Sequence, residues 1–264
     1  MDCACGHHHQ SPVDQSGQTV PLSRPLVTMH GRLICADMGQ MLSALDLLPD
    51  HVQQSRAEPG CLRFDVGQGD DPLIWSVDEI FADEDAFAVH QARTADSQWA
   101  RDSGEIGRDY HRHDVMPLIR LERPQDEDAL DRLLTRSFGG PSEARLVRAL
   151  RAAGDLAVSV VAHVQGLPVG HVALSPLQAV RPAYALAPLA VHPALQGRGL
   201  GHALVQAALA AAGECPVVVL GDPAFYGKAG FRPAALSSAY GDLMIHGDLP
   251  RNSAVTHAAA FAAL

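Results

Sequence analysis

The chain is short of lysine, of positive charge in its first half and of any long apolar run. No stretch approaches the roughly 20 continuous apolar residues of a bilayer-spanning helix, so no membrane partner is expected. Met1-Asp2-Cys3-Ala4-Cys5-Gly6 has neither a basic segment nor an apolar core, so no secretory leader is expected and the protein reads as cytoplasmic. The five cysteines (3, 5, 35, 61 and 215) are odd in number, and 264 residues can bury a core without staples. Reduced thiols fit better than a disulfide framework. Only Lys228 among the 20 basic residues is lysine, a compositional bias that carries no mechanism. Residues 1–116 hold 8 Arg against 19 Asp and Glu, giving −11, whereas residues 117–264 hold 12 Lys and Arg against 11 acids, giving +1. The acidic excess excludes non-specific nucleic-acid binding. Halves so unlike in charge also argue against a duplication.

What is present is globular: 47% of residues are apolar, with a mean hydropathy of +0.01. The length suggests two domains. Residues 1–20 show no apolar period and read as a flexible tail. Its Cys3, Cys5 and His7-His8-His9 suit a soft metal, but no second pair follows at zinc-finger spacing, so no metal site is expected.

Residues 21–116 read as β-α-β-β-α-β. Strands are expected at 26–34, 61–66, 73–81 and 108–115. One helix follows an Asp37/Gln40 capping box, with a kink or break at Pro49, and a second runs from Asp83 to Ala92. That order predicts a ferredoxin-like sandwich. The run Ser55-Arg56-Ala57-Glu58-Pro59-Gly60-Cys61-Leu62, the Glu79 strand and Asp83-Glu84-Asp85-Ala86-Phe87 leading to His90 resemble the antibiotic-biosynthesis-monooxygenase (ABM) fold. The resemblance implies pairing of sheets into a dimeric α/β barrel, hence a homodimer through this domain. It also implies, for some members, cofactor-independent oxidation of quinol-like substrates. Trp75, His90, Trp99, Tyr110, His111 and His113 are the residues that could line such a pocket, and each also reads as core or surface.

Residues 117–264 begin with a strand at 118–121 and helices at 125–137 and 143–153. A hairpin follows through Gln165-Gly166, then an almost wholly apolar strand from Ala183 to Val191. His192-Pro193-Ala194-Leu195-Gln196-Gly197-Arg198-Gly199-Leu200-Gly201 leaves that strand and opens a helix. Its glycines let the backbone turn tightly and present N–H groups at a positive helix end, which suits a pyrophosphate. Downstream lie Val217-Val218-Val219-Leu220 and Gly221-Asp222-Pro223-Ala224-Phe225-Tyr226-Gly227-Lys228-Ala229-Gly230-Phe231, with Asp222 and Pro223 starting a short helix.

Gln196-x-x-Gly199-x-Gly201 and Tyr226-x-x-x-Gly230-Phe231 resemble the acetyl-CoA loop and the following helix of the GNAT acyltransferases, and Val255 to Phe261 resembles a last strand. The expected fold class is α+β in two domains, an ABM-type ferredoxin-like sandwich followed by a GNAT mixed sheet. By position, Leu189, Ala190 and Val191 would meet the pantetheine arm. Gln196, Gly197, Arg198, Gly199, Leu200 and Gly201 would hold the pyrophosphate of the cosubstrate acetyl-CoA. Tyr226 would be the general acid toward the CoA sulfur.

No glutamate stands on the strand before the loop, so the base is sought among His171, His163 and His192, with His171 the first choice. An amine of depressed pKa needing no dedicated base would also serve. One functional reading is N-acetyl transfer to a small amine or peptide N-terminus, with the ABM-like domain dimerising or recruiting substrate. The other places oxygenase chemistry in residues 21–116 and leaves the GNAT half as an acyl-CoA sensor.

Overall fold

A computed structural model describes residues 17–263. The Cys3, Cys5 and His7-His9 cluster lies outside the described residues. The chain forms two compact units: Leu22–Met116, and a second that joins the segment ending at Pro21 to residues from Pro117 onward. The first strand, β1 (Gln18–Thr19), belongs to the second unit. It pairs antiparallel with residues 118–119, and Val20 N–H donates to Pro117 O at 2.9 Å. Residues 18–19, expected in the tail, are therefore an edge strand.

The Leu22–Met116 unit holds β2 (Leu26–Ile34), α1 (Met38–Ala57), β3 (Cys61–Gln68), β4 (Ile74–Phe81), α2 (Glu84–Ala95), α3 (Gln98–Asp102) and β5 (Gly107–Val115). Its strands pair in the order β3-β4-β2-β5, all antiparallel, as a ferredoxin-like sheet requires. Asp37 caps α1 by accepting from Gln40 N–H, while the Gln40 side chain accepts from Ala36 N–H. α1 continues through Pro49, so of the kink or break expected there the break does not occur. The Pro49 ring is on the exposed face, where water can satisfy the one carbonyl the missing N–H leaves free. Leu33, Leu48, Phe64, Trp75, Phe81 and Trp99 fill the space between sheet and helices.

The second unit adds β6 (Leu118–Leu121), α4 (Glu127–Phe138), α5 (Ser142–Ala153), β7 (Val158–Val164), β8 (Leu167–Leu177), β9 (Ala183–Val191), α6 (Leu200–Ala212), β10 (Val217–Val219), α7 (Pro223–Tyr226), β11 (Arg232–Pro233) and β12 (Met244–His246). The sheet runs β1-β6-β7-β8-β9-β10-β12-β11. Every pair is antiparallel except β9 and β10, which α6 joins as a crossover. Arg120 grips Asp126 with two bonds of 2.6 and 2.8 Å and fixes the turn from β6 to α4.

The strand expected at 255–261 does not form. Thr256 makes one isolated bridge to Gln178, and residues 259–263 are a helical turn. Three consecutive alanines at 258–260 give a strand nothing to pack, whereas Val255 and Phe261 still reach the core.

Candidate active site

The site begins where two strands part. β9 and β10 are paired only at Tyr184 with Val217 and Ala185 with Val218, so β9 from Leu186 to Val191 has no neighbour on that side. The β8–β9 register also shifts here, between the pairs Val172–Leu189 and Leu174–Leu186, beside the cis peptide Ala187-Pro188. His192 N–H donates to Val169 O, so by alternation the peptide groups of Leu189 and Val191 face the opening rather than β8. The Val191 carbonyl is already used, accepting at 3.2 Å from both Ser137 Oγ and Gln196 Nε2. Ala190 turns its side chain into the core with Leu134 and Val147.

The glycine loop follows. Gly197 and Gly199 sit at φ +74° and +95°, a region other residues rarely enter. The first intrahelical bond of α6 runs from Ala203 N–H to Gly199 O, which leaves the N–H groups of Leu200, Gly201 and His202 without helical acceptors. Arg198 is half-buried in the same loop. A Cβ on Gly201 would come within 3.3 Å of the Phe225 ring, so a small residue here lets α7 approach α6.

Asp222 caps α7 by accepting from Ala224 N–H at 2.9 Å. Tyr226 is thereby laid over Gly221 and packs edge-on against Phe225 and Phe231. Burial pushes its phenol up to about 12. It keeps its proton at neutral pH, and its hydroxyl has no hydrogen-bond partner among the described residues. Tyr226 and Leu189 both line a cavity of about 380 Å³ in the splay.

His171 is not in that cavity. It is fully buried in β8, with Nε2 2.8 Å from Ser159 Oγ, which in turn donates to Glu122. Burial, helped by Arg151, lowers it to about 3, so it stays neutral inside the sheet. β8 is covered on both faces, and side-chain parity there gives no route to the cleft. His192 is also buried, lowered to about 4 by burial and Arg136, and accepts from Ala194 N–H. His163 lies beside the β7–β8 turn, accepting from Gly166 N–H at 3.4 Å.

The cavity instead contains Glu143 at the start of α5 and His257. Residue 143 entered the sequence reading only as the start of a helix and His257 only within an expected last strand, so neither stood out.

In the Leu22–Met116 unit the expected residues separate. Trp75, His90 and Trp99 are buried, whereas His111 and His113 lie on the exposed face near His30. The interior holds a polar cluster the sequence did not assemble. His90 Nδ1 is 2.9 Å from Glu58 Oε2, and Arg93 Nε donates to Glu58 Oε1 at 2.5 Å. Glu79 lies behind them, its Oε2 4.0 Å from His90 Nε2. Burial and the nearby Glu58 and Asp78 raise Glu79 to about 8. Tyr110, half-buried, is raised to about 12 by burial and by Glu79.

Residues 155–233 match the family described as acetyltransferase (GNAT) domain. An uncharacterised N-acetyltransferase of Escherichia coli, YhbS, is 43% identical over 129 residues, covering 45% of this chain and 75% of YhbS. The chain belongs to the GNAT family. A second E. coli relative, the uncharacterised N-acetyltransferase YjhQ, is 36% identical over 121 residues, covering 40% of this chain and 64% of its own length. The crystal structure of E. coli YhbS in complex with CoA superimposes with a TM-score of 0.52 at 33% identity, covering 55% of this chain and 92% of YhbS. The GNAT match and these relatives account for the second unit, whose α+β architecture is the one the motifs predicted. Residues 36–101 match the antibiotic biosynthesis monooxygenase family, so the ABM-like reading of the first unit also holds. Among the described residues of this GNAT protein no helix is long and apolar enough to cross a membrane.

Proposed function

We propose that the GNAT unit transfers acetyl from acetyl-CoA directly to an amine bound beside it. The observation that carries this is that Tyr226 lines the cavity at the β9–β10 splay together with Leu189 of β9, the strand that runs into the glycine loop. The CoA complex of YhbS supports the same ligand here. The loop from Gln196 to Gly201, with the free N–H groups of α6, would receive the pyrophosphate, and the Leu189 peptide, with the N–H of Val191, would meet the pantetheine arm.

When bound, acetyl-CoA supplies an activated acyl carbon. The amine nitrogen forms its bond to that carbon as the C–S bond breaks, and the proton it sheds passes through solvent to restore Tyr226. Tyr226, held neutral by burial, gives its proton to the leaving sulfur. His171 has no part in this, and an acceptor that arrives as ammonium gives its first proton to water before it attacks. We assign the ABM-like unit the role of a dimerisation or substrate-recruiting module. On α1 it exposes Met38, Leu42 and Leu45, spaced as one helical stripe, with Ile34 nearby.

Calorimetric titration with acetyl-CoA, together with thiol release across an amine panel, tests the reading. Wild type should bind, and a Gly199→Glu, Gly201→Glu double variant should not. Tyr226→Phe should keep binding and lose roughly 10²- to 10⁴-fold in turnover. Absence of CoA binding by wild type would refute the assignment.

A further inference from the structure

We propose that the cavity beside Tyr226 takes a compact primary amine on an apolar or aromatic stem, with the Glu143 carboxylate receiving the ammonium group. This rests on the acetyl-transfer reading above. The cavity, about 380 Å³, lies at the small end of ligand sites. Part of that space must hold the thioester end of the cosubstrate, which leaves room for a short acceptor. Its walls are mostly carbon: Phe138, Leu146, Leu186, Leu220 and Phe261 are among them.

The polar lining is Glu143, Tyr226, Tyr240 and His257. No lysine or arginine lines it. Tyr226 is neutral, and burial lowers His257, which packs edge-on against Tyr240 at 4.7 Å and beside Phe261 at 5.2 Å. Glu143 is the one acidic residue among the residues lining this apolar and aromatic chamber. It is half-buried and has neither ion pair nor hydrogen bond to any described residue. A half-buried carboxylate costs solvation unless something cationic meets it. The half-buried Asp131 and Glu122 of the same unit are each paired with an arginine, Arg148 and Arg151. The aromatic rings lining the cavity favour a flat or aliphatic stem and also suit a cation over their faces. A carboxylate-bearing acceptor would be repelled.

The test uses the full chain as wild type and as Glu143→Gln, which keeps side-chain volume and helix position; matching melting temperatures check the fold. Each is titrated with CoA, then with phenethylamine in the presence and absence of CoA. Phenethyl alcohol serves as the uncharged isostere and alanylalanine amide as a peptide N-terminus. CoA should bind both proteins alike. Phenethylamine should bind wild type ten- to a hundredfold tighter than the variant, and phenethyl alcohol should not distinguish them. Equal amine affinity for the two proteins, no amine binding, or preference for alanylalanine amide overturns the proposal. Failure of CoA to bind while the amine still distinguishes the two proteins overturns the acetyl-transfer reading and leaves the amine site standing.

Discussion

Glu79 shows what one misplaced carboxyl does to a small domain. It is 3% exposed, and its pKa of about 8 means that the folded unit binds a proton that the unfolded chain, titrating near 4.5, releases. The stability from that proton is complete below the unfolded pKa and is lost as pH rises through the folded one. His51, held near 4 by burial, works in the opposite sense, weakening the fold as pH falls below 6.5. Between pH 6.5 and 8 only the carboxyl term slopes, so wild type should lose up to about 1.4 kcal/mol of stability per pH unit there. Glu79→Gln should flatten that slope, as denaturant unfolding at a series of pH values would report. The sequence offered Glu79 only as a strand residue, because burial of one face becomes visible only when the helices close over it. The sequence could not place His171 for a related reason: along β8 both faces are covered, and no alternation remained to say which side chains reach a cleft.

At the scale of elements, α7 and its flanking glycines decide where the phenol sits. A Cβ on Gly221 would fall 2.3 Å from Tyr226 Cε2, whereas one on Gly227 meets nothing within 4 Å. Gly221→Ala should therefore cost about 1–3 kcal/mol and lower thiol-release turnover with it. Gly227→Ala, at φ −58°, should be neutral or stabilising by up to about 1 kcal/mol. Thermal unfolding of the pair would give opposite signs within one turn. Such local features were legible beforehand: the Asp222 cap, the Gly199 reversal and the β-α-β-β-α-β order all follow from short-range chemistry. The segment from Val255 was not, since Val255 reaches the core from irregular chain and Phe261 from a helical turn, and the two together imitate strand spacing.

The eight-stranded sheet is interrupted in the sequence. β1 pairs with β6, yet the Leu22–Met116 unit lies between them in the chain. Two residues with no apolar pattern, joined to partners a hundred positions away, leave no mark in the sequence, so the boundary looked like a tail. Replacing residues 22–116 by a short flexible linker should leave the GNAT unit folded and able to bind CoA, because domain ends that lie at the surface tolerate such exchange. A chain beginning at Pro117 lacks β1 and should melt lower, and differential scanning calorimetry on the two forms separates the cases. Sedimentation also checks the proposed dimerisation role: on that role the full chain should sediment as a dimer and the linker form as a monomer.

The same interruption makes the two units thermodynamically aware of each other without requiring any surface between them. While residues 22–116 stay folded, they bridge β1 and β6 as a fixed span. Once they unfold, the same pairing must close a loose loop of nearly a hundred residues, at an entropic cost of roughly 4 kcal/mol. A two-residue strand resting on a few backbone hydrogen bonds cannot meet that cost, and the rim of the acetyltransferase sheet would fray whenever its insert melts.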